Sequence, residues 1–334
     1  MTRTRRSSKK RAVGRSKSVK KTRKRNPVSV IYVKKVMTDK AIAAKEGEYF
    51  PESHYKTIVN EDTDAYRVDE KGNNHLLLRF RKNVLPLDLC SNGIKNLKKA
   101  AMKKHDNRGA AGGIIDLKKM PKYANDPNLF VKKNKFRIVS YISKDKGTLV
   151  NSSLGNNTMS NIIGYFDKPD RNIKINPPQC RKTAFTAQEV EKWKNSVPLI
   201  RAIDAQFKFL IPDKYATQYK RAHKTPFVIK GTAFSTVTIN YNWRTALHKD
   251  AGDLKDGFGN LVVLEEGKYE GGYTGYPQYS VCVDVRQGDF LGMDVHEWHC
   301  NTKIKPITKD YTRLSLVAYL REKMIRCKND KLLD

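Results

Sequence analysis

"TALHKDAG", residues 245–252, places a histidine and a carboxylate two positions apart, His248 and Asp250, directly after the half-apolar run "GTAFSTVTINYNW" (231–243). The pair is either one jaw of a metal site or two ordinary polar residues leaving a strand, because a two-residue spacing only sends both groups to one face. The rest of the chain decides between these readings, and the fold with them.

Downstream, apolar runs alternate with Gly, Asp and Pro turns: "GNLVVLEEG", "YSVCVDVRQGDFLGMDV" and "RLSLVAYLREK" read as strands. Upstream, "VSVIYVKKV", "HLLLRFRKNVLP", "KFRIVSYIS" and "NIIGYFD" also read as strands, whereas "GIKNLKKAAMKKH" (93–105) is an amphipathic helix. Residues 187–224 are helix-rich, with Pro198 and Pro212 as expected breaks. No internal repeat is visible. The expectation is an α+β fold in which helices pack outside a curled sheet, as one continuous domain over 28–334.

Closing such a sheet would bring the strand before "DVHEWHCNT" (294–302) beside the one that leads to His248. His299, 51 residues after His248, then joins His248 and Asp250 on one face. Two imidazoles and one carboxylate form the facial triad of non-haem Fe(II) oxygenases, which leaves positions open for a cosubstrate and O2. Fourteen residues later Arg313 opens the apolar run "RLSLVAYL". A guanidinium there is costly unless paired. Its fork matches a carboxylate, such as the distal one of 2-oxoglutarate, and Ser315 on the same face can donate to the same oxygens. The alternative for Arg313 is a salt bridge to a local acid.

Composition points to the partner. The 334-residue chain has 66 Lys plus Arg against 34 Asp plus Glu, a formal charge of +32, and nucleic acid is the simplest counterpart of that excess. Residues 1–27 hold 13 Lys or Arg, no acid and no aromatic residue, and read as a disordered arm for phosphate contact or targeting. Without the arm the remainder is still +19. Five scattered cysteines without a CxxC do not make a disulfide framework and suit a reducing compartment. The apolar runs fall short of the roughly 20 residues a membrane span needs, and the basic start has no apolar stretch behind it to form a signal peptide.

"NYNWRTALHKDAGDLKDGFGNLVVLEEGKYEGGYTGYPQYSVCVDVRQGDFLGMDVHEWHCNT" followed by "YTRLSLVAYLREK" resembles the TET/JBP group of iron(II) and 2-oxoglutarate dioxygenases, more closely on its thymidine hydroxylase side. The resemblance extends through "NRGAAGGIID" (107–116), "IIGYFD" (162–167) and "CRKTAFT" (180–186), over roughly 75–325. It implies a double-stranded β-helix (jelly-roll) core at about 225–325 with flanking helices. It also implies Fe(II), 2-oxoglutarate and O2 as metal and cosubstrates, and hydroxylation of the 5-methyl group of thymine or 5-methylcytosine with release of succinate and CO2.

Carried onto this chain, the resemblance makes His248, Asp250 and His299 the iron ligands and Arg313 with Ser315 the cosubstrate clamp. It favours His299 over the neighbouring His296, because the ligand precedes a "CNT"-like segment. Asp253 and Tyr319 become base-facing residues, the tyrosine stacking on a flipped base. Arg321 stands where some members have a base-contacting histidine, and a guanidinium can donate to a carbonyl but cannot accept from an amine. Gly271-Gly272 reads as a lid or barrel turn, and Asn107-Arg108-Gly109 as either a turn or part of the substrate-facing shell. Trp243 and Trp298 read as packing groups.

The implied partner is double-stranded DNA, with no membrane and no obligate protein partner, in a nucleus or at the genome of a large DNA virus. Two alternatives stay open: a 2-oxoglutarate-dependent hydroxylase of Lys or Pro side chains, and an inactive nucleic-acid-binding protein on the same fold.

Overall fold

The computed structural model describes residues 27–116, 130–142, 147–167 and 179–327. The expected arm, apart from Pro27, lies outside them. In chain order come β1 (Ser29–Val33), α1 (Asp39–Ala44), β2 (Thr57–Val59), β3 (Thr63–Val68), β4 (Asn74–Arg81), α2 (Leu87–Ala101) and β5 (Lys104–His105). Next are β6 (Phe130–Lys133), β7 (Ile138–Ile142), β8 (Leu149–Leu154), β9 (Thr158–Asp167), β10 (Cys180–Lys182), α3 (Ala184–Gln188), α4 (Val190–Leu210) and α5 (Pro212–Ala222). The last part holds β11 (Thr236–Tyr241), β12 (Gly259–Glu266), β13 (Tyr269–Gly271), β14 (Thr274–Tyr276) and β15 (Val281–Val283), then β16 (Phe290–Met293), β17 (Cys300–Asn301), β18 (Ile304–Pro306) and β19 (Thr312–Tyr319).

A large sheet runs β1-β3-β4-β16-β12-β19-β11-β9-β10, with β5 added to β9, and a small sheet runs β17-β14-β15-β2. The large sheet is antiparallel except where β1 joins β3, and the small one except where β15 meets β2. Strands from before residue 225 complete both sheets. The two sheets facing each other with helices on the outside form the α+β double-stranded β-helix expected from the sequence.

Strand periodicity sorts the residues between layers. Val262 and Leu264 of β12, Leu314, Leu316 and Ala318 of β19, and Val237 and Ile239 of β11 are buried together with Ile94 and Leu97 of α2 and Leu199, Ile200 and Ile203 of α4. Leu261 and Val263 of β12, Leu291 and Met293 of β16 instead bury against Tyr276, Val281 and Val283 of the small sheet. The near-continuous run "LVVL" is thus a strand covered on both sides. The same alternation aims Arg313, Ser315 and Tyr319 away from the helices and into the space between the sheets.

Two helix boundaries differ from expectation. The helix expected at 93–105 is α2, which begins six residues earlier behind Pro86 and ends at Ala101. Pro198 does not break the chain but sits inside α4, whereas Pro212 does start α5. An interior proline costs about 3 kcal/mol. Leu199, Ile200 and Ile203 are each at most 1 % exposed, and burying such side chains gives about 1.5–3 kcal/mol apiece, so packing on the sheet outweighs the defect. Of the five cysteines, Cys180 and Cys327 are bonded, one bridge and not a framework, and Cys90, Cys282 and Cys300 are free and buried. Among the described residues no helix is long and apolar enough to cross a membrane.

Candidate active site

The segment that carries His248 is held from both sides by backbone. His248 and His299 exchange both N–H···O bonds at 3.0 Å, Asp250 N donates to Val295 O at 3.0 Å, and Leu247 N donates to Glu48 O at 2.8 Å. His248 and Asp250 therefore leave an isolated bridge, not the regular strand their spacing suggested. The Nδ1 atoms donate to backbone carbonyls, His248 to Ala246 at 2.8 Å and His299 to Glu297 at 2.9 Å. This fixes the ring tautomers and leaves both Nε2 lone pairs for a ligand.

His248 Nε2 lies 3.5 Å and His299 Nε2 lies 4.0 Å from the Asp250 carboxylate, and one ligand atom from each of the three residues lies within 4.8 Å of the others. Among the described residues this is the one His/Cys/Asp/Glu group able to hold a metal ion. His296, the competitor, turns away and donates from Nε2 to Leu254 O at 3.1 Å. Burial pushes the Asp250 carboxyl up, but the facing imidazoles of His248 and His299 outweigh it and hold the group below its ordinary value. Burial, followed by the neighbouring His248, pushes His299 down to about 4. A carboxylate that stays ionised beside a neutral imidazole is the donor set that Fe(II) accepts.

Above the triad is a cavity of about 700 Å³, within the usual range for a bound small molecule. Ser315 lines it. Its hydroxyl accepts from Asn240 Nδ2 at 3.2 Å, and Ser160 Oγ donates to Asn240 Oδ1 at 2.6 Å. This relay crosses three strands in register, Ser160 to Asn240 to Ser315. Sequence reading missed it, since only strand pairing brings the three together.

Arg313 lies deeper, 2 % exposed. Its Nη2 donates to Gly272 O at 2.9 Å, its Nε has no hydrogen-bond partner, and among the described residues it makes no ion pair. The alternative of a local salt bridge therefore fails. A buried, unpaired guanidinium is unfavourable unless an anion completes it, and the open donor next to Ser315 fits the carboxylate of 2-oxoglutarate. Gly271 and Gly272, both at positive φ (+70° and +71°), form the expected barrel turn between β13 and β14, and a β-carbon on Gly272 would sit 3.0 Å from Arg313 Nε.

The base-facing residues expected from the resemblance also converge: Asp253, Tyr319 and Arg321 line the same cavity as the triad. The Tyr319 hydroxyl accepts from Thr238 at 3.4 Å. Asp253 Oδ2 is buried without a hydrogen-bond partner, and burial, with the charge of Asp250, pushes this carboxyl well above its ordinary value against the pull of Arg321. Arg321, expected at the polar edge of the base, also pairs with Asp167. Asn107, Arg108 and Gly109 line the cavity too, and Gly109 has the positive φ of a turn, so both readings of that segment hold. Arg108 Nε is buried without a hydrogen-bond partner, and burial lowers the group's pKa against the attraction of Tyr319 and Asp250. Trp243, expected to be packing, lines the cavity as well. Trp298 packs against the small buried cluster around Ile42, with Lys249 Nζ 5.2 Å from its ring centroid.

The chain is similar to several known proteins. Thymine dioxygenase JBP1-B of Trypanosoma cruzi (strain CL Brener) is 38% identical over 165 residues, 49% of this chain and 19% of that protein. Thymine dioxygenase JBP1 of Leishmania braziliensis is 29% identical over 220 residues, 65% of this chain and 25% of that protein. The chain thus spans about a fifth to a quarter of the length of these relatives. The solved structure of NgTET1 in complex with 5mC DNA is similar at 13% identity and a TM-score of 0.47, covering 89% of this chain and 98% of that one. Residues 161–322, the stretch that holds the triad and both arginines at the ends of β19, match the oxygenase domain of the 2OGFeDO superfamily, Tet_JBP.

Proposed function

We propose that the protein is an Fe(II)- and 2-oxoglutarate-dependent dioxygenase that hydroxylates the 5-methyl group of thymine or 5-methylcytosine in DNA, with thymine preferred. One observation carries the reading: the metal-ligand triad lines one cavity with Ser315, Asp253, Tyr319 and Arg321, and Arg313, a buried guanidinium without an anion, stands two residues from Ser315 on the same strand face. The thymine dioxygenases among its relatives support the substrate class.

Iron with 2-oxoglutarate would supply oxidation of the methyl carbon, with succinate and CO2 as coproducts. His248, Asp250 and His299 would hold the metal, their rings fixed by Ala246 and Glu297. Arg313 and Ser315 would take the distal carboxylate, the serine kept in place by Asn240. Tyr319 would present its ring face to the base, and Asp253 and Arg321 its polar edge. A base in a duplex must leave the stack to reach this depth, at a cost of a few kcal/mol, and the +19 body and the basic arm would offset part of that cost through phosphate contacts. We place the protein with DNA, in a nucleus or at a viral genome.

Thymine suits Arg321 at the polar edge, since it offers a carbonyl on either side of N3, whereas cytosine offers one carbonyl and one amine. Asp253 takes the thymine N3 hydrogen only in its ionised form, and its raised pKa leaves Arg321 to carry the preference. The test offers both bases in otherwise identical oligonucleotides and quantifies 5-hydroxymethyluracil and 5-hydroxymethylcytosine by mass. The expected result is more of the former. Equal or faster turnover of 5-methylcytosine reverses the base preference, and succinate released only with a basic peptide replaces DNA by a protein substrate.

A further inference from the structure

Arg321 leaves β19 at the cavity wall and is held at several points. Its backbone N donates to Ser235 Oγ at 3.0 Å, while the flanking Leu320 O and Glu322 N bond to Leu254 N and Gly252 O at 2.8 and 2.9 Å. The guanidinium carbon lies 4.1 Å from the centroid of Phe166. A β-carbon on Gly252 would overlap Nη1, so the group rests against bare backbone there. Nε donates to Oδ1 of Asp167, which ends β9 and is 6 % exposed, and Oδ2 of Asp167 stands 4.0 Å from Lys323 Nζ.

A planar cation with one face on an aromatic ring and Nε on a carboxylate loses most of its rotational freedom. With Nε engaged by Asp167, the Nη hydrogens remain as donors for a ligand. Phe166, Gly252, Asp253, Tyr319 and Arg321 all line the cavity, whereas Asp167 stands behind Arg321.

Resting on the reading of Arg321 as a base-edge contact, we propose that Asp167, with Phe166 as platform, is a positioning residue that sets the Nη edge of Arg321 toward a carbonyl oxygen and thereby favours thymine over 5-methylcytosine. Thymine carries carbonyls on both sides of N3. Cytosine carries one carbonyl and one amine, and a fixed donor meets the amine as a mismatch. A guanidinium free to swing would not distinguish them.

The test compares steady-state turnover of thymine and 5-methylcytosine oligonucleotides by wild type, Asp167→Ala, Asp167→Asn, Arg321→Ala and the Asp167→Ala/Arg321→Ala pair. Asp167→Ala should raise KM for the thymine oligonucleotide on the order of tenfold, the scale of one charge-assisted hydrogen bond, with a smaller change for 5-methylcytosine and little loss of kcat. Asp167→Asn keeps an acceptor for Nε and should restore most of the preference. In the Arg321→Ala background the alanine at 167 should add nothing. Equal losses on both bases, additive losses in the double variant, or an Asp167→Ala enzyme with unchanged preference would each overturn the assignment. Should Asp167→Ala not fold, Arg321→Lys decides: it keeps the charge and lacks Nε, and a retained thymine preference refutes the tether. A wild-type enzyme that oxidises neither base sinks the base reading itself, and this inference with it, before any variant is compared.

Discussion

Arg313 and Arg321 stand at opposite ends of the last strand, and the chain treats them differently. Arg313 is buried, without an ion pair among the described residues, with one donor on a carbonyl and Nε unsatisfied. Arg321 is more open at its side chain and lies on a phenyl ring with Nε on Asp167. Leaving a charge incomplete in a dry interior is costly, so the first arginine is arranged to be completed by a small anion. The second is already satisfied at Nε, and what it offers a ligand is direction. Under the proposed function, one end of β19 would take the cosubstrate and the other would select the base.

The proposed roles of both arginines presuppose the metal, so the largest expected effect removes it. Asp250→Ala should reduce iron-dependent succinate formation to background, whereas His296→Ala, which loses one hydrogen bond to Leu254 O, should cost less than about tenfold. The reverse ranking would put the wrong histidine in the triad, and substantial turnover without Asp250 would remove the reference point for the whole comparison.

Separating the two arginines is the next test. Arg313→Ala should raise KM for 2-oxoglutarate by about two orders of magnitude, within the range for removing one partner of a buried charge pair, and leave the ratio of thymine to 5-methylcytosine products alone. Arg321→Ala should do the opposite, shifting the product ratio while KM for 2-oxoglutarate stays within about threefold, a change of under 1 kcal/mol. If each variant moves both quantities equally, the division of labour along β19 is wrong.

A finer probe acts on Arg313 without touching it. Gly272→Ala must place a β-carbon 3.0 Å from Arg313 Nε at a φ of +71°. Holding a non-glycine residue there costs about 1–2 kcal/mol, and the guanidinium has to shift by a few tenths of an ångström. KM for 2-oxoglutarate should rise by about three- to tenfold with the base preference intact. No change in KM would mean that Arg313 is not held by this turn.

The Arg313 end was legible in sequence because chemistry restricts its residue types: His248 with Asp250 and Arg313 with Ser315 follow from donor identity and a spacing of two, and the resemblance sets His299 above His296. The Arg321 end was legible only in part. Arg321 and Asp167 are 154 positions apart, and no local pattern announces that the ends of β9 and β19 meet. The Ser160–Asn240–Ser315 relay is hidden in the same way, since it exists only once three strands are in register. The small sheet was hard to read for another reason: β2, β14, β15 and β17 have two or three residues each, too few for alternation to show. Pro198 misled because its local cost was visible and the packing that offsets it was not.

The smallest expected effect concerns neither end of β19, and that is its use. Residues 1–27 carry 13 positive charges and no aromatic residue, so the arm offers charge for phosphate and no aromatic or rigid element to hold a donor against a base edge. If discrimination resides at Arg321 and its supports, removing the arm should weaken DNA binding at low salt and flatten its dependence on log salt, because fewer counterions are released per complex. The ratio of 5-hydroxymethyluracil to 5-hydroxymethylcytosine should not move. Binding by the full chain and by the form lacking residues 1–27, titrated across salt concentrations with product ratios taken in parallel, separates these quantities. An unchanged salt slope would assign the arm to targeting, and a changed product ratio would show that part of the base selection lies outside the cavity that Arg321 lines.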